Sequence, residues 1–192
     1  MVHATLSSAK TLLRTEMRAL RRSLAERAPD AADRAAGHLP LHRLPPFTII
    51  AGYHPHGGEI SPAAVLARLA GKGCRVVLPV ANIRDEPMVF REAVDPAHLA
   101  PDVFGIPAPP RDAPQAYPDI VIAPLIAFDR KGGRLGQGAG AYDRTLAALR
   151  QVKPIFVIGL AYADQEVARV PAEPHDFKLD AILTEKGYIE VN

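Results

Sequence analysis

The chain has 192 residues, enough for one domain with a substantial core. Its 48% hydrophobic and 23% charged content is that of a soluble globular protein, and a formal net charge of +2 gives no argument for nucleic acid or an anionic membrane as partner. The single cysteine, Cys74, excludes an internal disulfide and a cysteine-based metal site and fits a reducing compartment.

Leu12, Leu13, Met17, Leu20 and Leu24 recur at helical spacing and predict a helix over 7–27, capped by Ser7 or Ser8 and stopped by Pro29. Lys10, Arg14 and Arg18 interrupt the apolar core that a signal peptide needs, so a cytoplasmic protein is expected. FTIIAGY (47–53) is rich in β-formers and predicts a strand. SPAAVLARLAGKG (61–73) predicts a helix, with Ser61 as cap, Pro62 in its first position and glycines at its end. RVVLPV (75–80) and PMVFREAV (87–94) are the next strands. Seven prolines between 96 and 118 predict a rigid, irregular connection inside one domain. DIVIAPLIAF (119–128) is a near-continuous apolar run, as in a strand buried on both faces, and Pro124 makes it far too short to span a bilayer. A helix over 142–150 and strands over 154–162 and 180–185 complete the series. Strands alternating with helices predict a single α/β domain over 1–192, a three-layer α/β/α sandwich with a mostly parallel sheet.

GGRLGQGAGAYDRTL (132–146) holds five of the 14 glycines. It lies between a buried strand and a helix, where open α/β sheets bind ligands. Bare backbone lets several N–H groups converge, and a helix start adds unpaired donors and partial positive charge, so the loop suits an anion such as phosphate. Arg134 adds a donor fork. A Walker A loop is excluded, because no Gly-Lys-Ser/Thr occurs, and Gly136, Gly138 and Gly140 are spaced two apart rather than as in a dinucleotide fingerprint. Asp143 in the first helical turn fits either a dipole-stabilising acid or a ligand of a phosphate-bound Mg²⁺. Lys10 and Arg14, four residues apart, share one helix face. By spacing alone they belong to a solvated basic face with Arg18, Arg21 and Arg22.

PLIAFDRKGGRLGQGAGAYDRTL resembles the signature of the 5-formyltetrahydrofolate cyclo-ligase family, also called methenyltetrahydrofolate synthetases: an apolar strand ending in Ala-Phe-Asp, then R-L-G-x-G-x-G-[YF]-Y-D. Lys10 and Arg14, GYHPHGGEIS, GLAYADQ and PHDFKLDAILTE resemble further family segments in order, so the resemblance spans nearly the whole chain. It implies an ATP- and Mg²⁺-dependent conversion of 5-formyltetrahydrofolate to 5,10-methenyltetrahydrofolate through a phosphorylated formyl group, releasing ADP and phosphate. It also implies a fold of the sugar-phosphate isomerase and CoA-transferase kind.

The resemblance carries specific roles. Lys10 and Arg14, on the N-terminal helix within 1–30, match the nucleotide-binding pair. Arg134, Leu135, Gly136, Gln137, Gly138, Ala139, Gly140, Ala141 and Tyr142 match the nucleotide loop, and Asp143 and Asp176 match the metal ligands, with Asp180 as an alternative to Asp176. Glu59 matches a substrate-binding glutamate, and His54 and Tyr142 fall near the folate. Lys10, Arg134 and Tyr142 are the implied catalytic residues. His54 and His56 do not make a metal pair, since no third ligand is evident. Met88 and Phe128 fit either a pterin pocket or the core. The departure from the pattern is Ala141, where the family carries an aromatic residue. It motivates one alternative, a related ATP-dependent ligase with a different substrate; a non-catalytic folate- or nucleotide-binding regulator is a further one. A monomer or weak homo-oligomer acting on small molecules is expected.

Overall fold

The chain opens on one long helix, α1 (Val2–Arg27), which stops two residues before Pro29. The computed structural model describes residues 2–93, 98–173 and 176–191, so Val94, Pro96, Pro174 and His175 of the predicted segments lie outside the described residues. Ser7 and Ser8 are not caps: both lie inside α1, where Thr11 Oγ1 donates to the Ser7 carbonyl. The buried stripe also differs from the predicted one. Lys10, Met17, Arg21 and Leu24 are buried and Arg14 is half-buried, whereas Leu12 is 72% exposed. Alternating steps of four and three keep these five positions on one helix face. That face therefore carries three cations among its apolar anchors.

A second helix, α2 (Ala31–His38), was not predicted. It buries Ala31, Ala35 and Ala36, residues of high helix propensity too small to produce an apolar stripe in the sequence. After it come β1 (Ile49–Ala51), α3 (Ala63–Ala70), β2 (Arg75–Val80) and β3 (Val89–Glu92). The proline-rich connection holds only a small hairpin of β4 (Ala100–Pro101) and β5 (Pro107–Ala108). β6 (Ile120–Pro124), β7 (Ala127–Phe128), β8 (Arg134–Leu135), α4 (Ala141–Val152), β9 (Phe156–Leu160), β10 (Ala181–Thr184) and β11 (Gly187–Glu190) complete the chain.

The main sheet has seven strands in the order β11-β10-β9-β6-β1-β2-β3. Its five inner strands run parallel and β3 and β11 add antiparallel edges. Side chains alternate between two buried faces. Ile120 and Ile122 of β6 join Ile50, Ile158 and Leu160 under α2 and α3, while Val121 and Ala123 join Val157, Leu146 and Leu149 under α4. This is the expected three-layer sandwich with a mostly parallel sheet. Among the described residues no helix is long and apolar enough to cross a membrane.

The predicted strand over 119–128 is in fact two. β6 ends at Pro124, which has no N–H to extend the ladder, and the chain turns at Leu125 and Ile126. β7 then pairs with β8 in a separate hairpin. Met17 of α1 packs on that hairpin with Ile126, Ala127, Leu135 and Val170. Strand order reverses between β1 and β6, because the chain proceeds outward to β2 on one side and to β9 and β10 on the other. In such sheets the crevice at this switch, beyond the carboxyl ends of the strands, is where ligands bind. The loop after β1, the turn after β6 and α1 meet there.

Candidate active site

The glycine-rich loop leaves β8 and enters α4. Gly138 and Gly140 take positive φ of 112° and 67°, the left-handed region that glycine adopts without steric cost. A β-carbon at Gly140 would also stand 2.7 Å from Arg144 Nη1. Arg144 curls back over the loop and donates to the Ala139 carbonyl at 2.8 Å. From the other side, Arg14 Nε donates to the Gly136 carbonyl at 3.0 Å, with its guanidinium carbon 3.4 Å from where a Gly138 β-carbon would be. Two arginines thus flank a bare backbone loop at the start of a twelve-residue helix. A bare backbone loop, a helix N-terminus and cations together suit a phosphate chain.

Beneath the loop, Arg134 is buried and donates to Asp143, which also accepts from the Phe177 N–H at 3.1 Å. The Arg134 guanidinium lies 5.8 Å from the centre of the Tyr142 ring. Among the described residues, Arg134 Nε and the Tyr142 hydroxyl are both buried without a hydrogen-bond partner. Burial, with Glu59 nearby, raises the Tyr142 pKa against the opposing pull of Arg134, so the phenol keeps its proton and can donate.

Lys10 reaches across to the C-terminal segment and pairs with Glu173 at 2.6 Å and Asp176 at 2.7 Å. Burial works against its charge, but hydrogen bonds and charges from Asp176 and Glu173 outweigh it, and its pKa is raised. Asp176 and Asp143 keep 17% and 21% of their side chains exposed. Each is a carboxylate that could hold a divalent cation drawing its other ligands from phosphate oxygens, the usual arrangement for Mg²⁺. Among the described residues no three His, Cys, Asp or Glu side chains cluster into a cage that would hold a cation unaided.

Glu59 lies in the loop after β1. Its Oε1 accepts from Arg21 Nη1 and Gln137 Nε2, each at 3.2 Å, and its Oε2 accepts from the His56 N–H at 3.1 Å. Arg21 is 2% exposed and also donates to the carbonyls of Leu125, His56 and Gly57. It ties α1 to both strand ends at the switch point. Burial lowers its pKa and Glu59 opposes the shift, leaving an ordinary buried ion pair.

The structure brings together the candidates Lys10 with Asp176, Arg14 with Gly136, Arg134 with Tyr142 and Asp143, and Gln137 with Glu59. It does not join His54 to them. That side chain is exposed, and among the described residues no hydrogen bond links it to the other candidates. Asp180 is engaged elsewhere, with Arg150 and the Val157 N–H. Phe128 belongs to the core and Met88 is half-buried beside α4, its N–H donating to Thr145. Arg21, Arg144 and Glu173 were missed. Arg21 had a legible signal, a cation in register with Met17 and Leu24; Glu173 had none, because only folding sets it beside Lys10.

Comparison with known proteins gives a concordant result. The model of the 5-formyltetrahydrofolate cyclo-ligase family matches residues 6–185. A 5-formyltetrahydrofolate cyclo-ligase of Mycolicibacterium smegmatis is 36% identical over 191 residues, covering 92% of this chain and 94% of that protein. One of Haemophilus influenzae is 34% identical over 178 residues, covering 89% and 95%. The NMR structure of Aquifex aeolicus 5,10-methenyltetrahydrofolate synthetase superposes with a TM-score of 0.75 at 27% identity, covering 95% of this chain and 93% of that one.

Proposed function

The chain belongs to the 5-formyltetrahydrofolate cyclo-ligase family, and from that premise we propose that it converts 5-formyltetrahydrofolate to 5,10-methenyltetrahydrofolate at the expense of ATP. The formyl oxygen attacks the γ-phosphorus and ADP leaves. The folate N10 then attacks the phosphorylated formyl carbon, and loss of phosphate and of the N10 proton closes the ring. The observation that carries this reading is the Gln137–Glu59 contact at 3.2 Å, which sets a phosphate-suited loop directly beside a carboxylate suited to the N–H groups of a pterin. Phosphoryl transfer needs such adjacency, because positioning and charge stabilisation supply most of its catalysis.

On this reading Lys10, Arg14 and Arg134 bind and neutralise the phosphate chain, and the N–H groups from Gly136 to Tyr142 orient it. Tyr142 and Arg134 have unused donors available to the charge that develops on the transferred group. Asp143 and Asp176 would hold Mg²⁺, which supplies charge neutralisation between the phosphates. Glu59, fixed by Arg21, orients the pterin ring. Residues 1–192 act as one domain, and we place the enzyme in the cytoplasm as a monomer or weak homo-oligomer.

Purified protein with ATP, Mg²⁺ and 5-formyltetrahydrofolate is expected to release ADP and to develop the near-ultraviolet absorbance of the methenyl product. Binding of folate or nucleotide without either signal would instead identify a regulator. Ala141 supports a second reading. It stands half-buried at the start of α4 without the aromatic surface of the family pattern. ADP release with another small molecule, and none with the formyl folate, would establish that reading in place of the first.

A further inference from the structure

The three donors on Glu59 differ in how firmly they are fixed. Arg21 is buried and anchored by three further carbonyl acceptors, and the His56 N–H belongs to the backbone of the same loop. Gln137 is exposed, on a flexible side chain in the glycine-rich loop. Its amide has a defined orientation, since Oε1 accepts from the Arg18 cation at 3.2 Å while Nε2 faces the Glu59 anion. A carboxylate offers about two lone-pair positions on each oxygen. Arg21 and Gln137 occupy both on Oε1, and His56 leaves one open on Oε2. A cyclic amidine, such as the N–H and exocyclic amine of a pterin, donates two parallel bonds, one to each oxygen. Glu59 can accept that pair only when one donor leaves Oε1, and Gln137 is the one not anchored by burial.

We infer that the Gln137 side-chain amide is a placeholder for the substrate: it occupies the position of a pterin N–H donor on Glu59, and substrate displaces it. The inference rests on the proposed role of Glu59 toward the pterin. Glu59, next to buried Arg21, is thereby kept hydrogen-bonded while no substrate is present, and substrate binding costs the one hydrogen bond from the Gln137 amide. The loop backbone stays tied to α1 when the side chain is displaced, because Arg18 also donates to the main-chain carbonyl of Gln137 at 2.9 Å. Gln137 thus tunes the affinity of Glu59 for ligands that donate two bonds to it.

The test is the affinity for 5-formyltetrahydrofolate, measured by calorimetry without nucleotide, of wild type, Gln137→Met and Gln137→Ala. Methionine keeps the length of the side chain but cannot donate. Both variants are expected to bind about tenfold or more tighter than wild type, the worth of one hydrogen bond to a charged group. A purely structural role for Gln137 predicts no gain in affinity, and the melting temperature of each variant reports on folding separately. Unchanged or weaker binding by Gln137→Met overturns the inference while leaving the proposed function standing. A wild-type protein that binds no 5-formyltetrahydrofolate overturns the proposed function itself.

Discussion

Tyr142 carries a hydroxyl that is buried, protonated and unpartnered, three properties that together point away from a structural role. An unsatisfied buried donor costs stability, so Tyr142→Phe is expected to melt at the same temperature as wild type or higher. If the hydroxyl donates to the transferring group, the same substitution lowers kcat roughly tenfold or more with little change in the KM for ATP. Undiminished kcat would remove Tyr142 from the reaction. At this scale the sequence was informative where chemistry and chain position coincide. Asp143 and the glycines are contiguous, so their association needs no tertiary information. Arg21 was assigned to a solvated basic face because its neighbours Arg18 and Arg22 are also cationic. Only the register shared with Met17 and Leu24 distinguishes it, and that register competes with the one through Leu12 and Leu13.

The elements are held together at a point remote from the site. Asp119, just before β6, accepts from the N–H groups of Thr48 and Ile49 and from Lys153 just beyond α4. Burial works against its charge, but Lys153 and the two N–H donors prevail and lower its pKa to about 2, from 3.8. A carboxyl whose folded pKa is depressed adds stability above its unfolded value and loses it as pH falls through the folded one. The urea stability of wild type over Asp119→Asn is therefore expected to be greatest above about pH 5, near 1 kcal/mol after solvent screening, and to vanish toward pH 2. A pH-independent difference would show that Asp119 acts through packing. Element types were readable from period and punctuation, as in the helix after Ser61 and the strand over Arg75–Val80. The splitting of 119–128 was not, because an unbroken apolar run records burial and not which sheet each half joins. α2 was hidden because alanines bury too little surface to mark a face.

Across the whole molecule, α1 is the element on which the site depends. Its cations reach Glu173 and Asp176 near the C-terminus, Gly136 and Gln137 in the glycine-rich loop, and Glu59 and Leu125 at the switch point. α2, by contrast, packs on the sheet with no residue in the site. A non-hydrolysable ATP analogue with Mg²⁺ is accordingly expected to slow amide exchange over residues 8–18 and to leave residues 31–38 unchanged. Equal protection of both would mean global stabilisation without engagement of α1. The sandwich itself was readable from alternating elements, but the position of α1 over the crevice was not, since its contacts span 35 to 166 residues of chain.

Those spans bear on how the protein is made. A ribosome releases α1 before its partners: the glycine-rich loop emerges only after β1, β2 and β6, and Glu173 and Asp176 only after β9. Through most of synthesis Lys10, Arg14 and Arg21 have no crevice to enter, so the nascent chain displays a basic amphipathic helix. On the role proposed for Asp176 the polypeptide acquires activity only once translation has passed that residue, and messages truncated earlier would yield the helix alone.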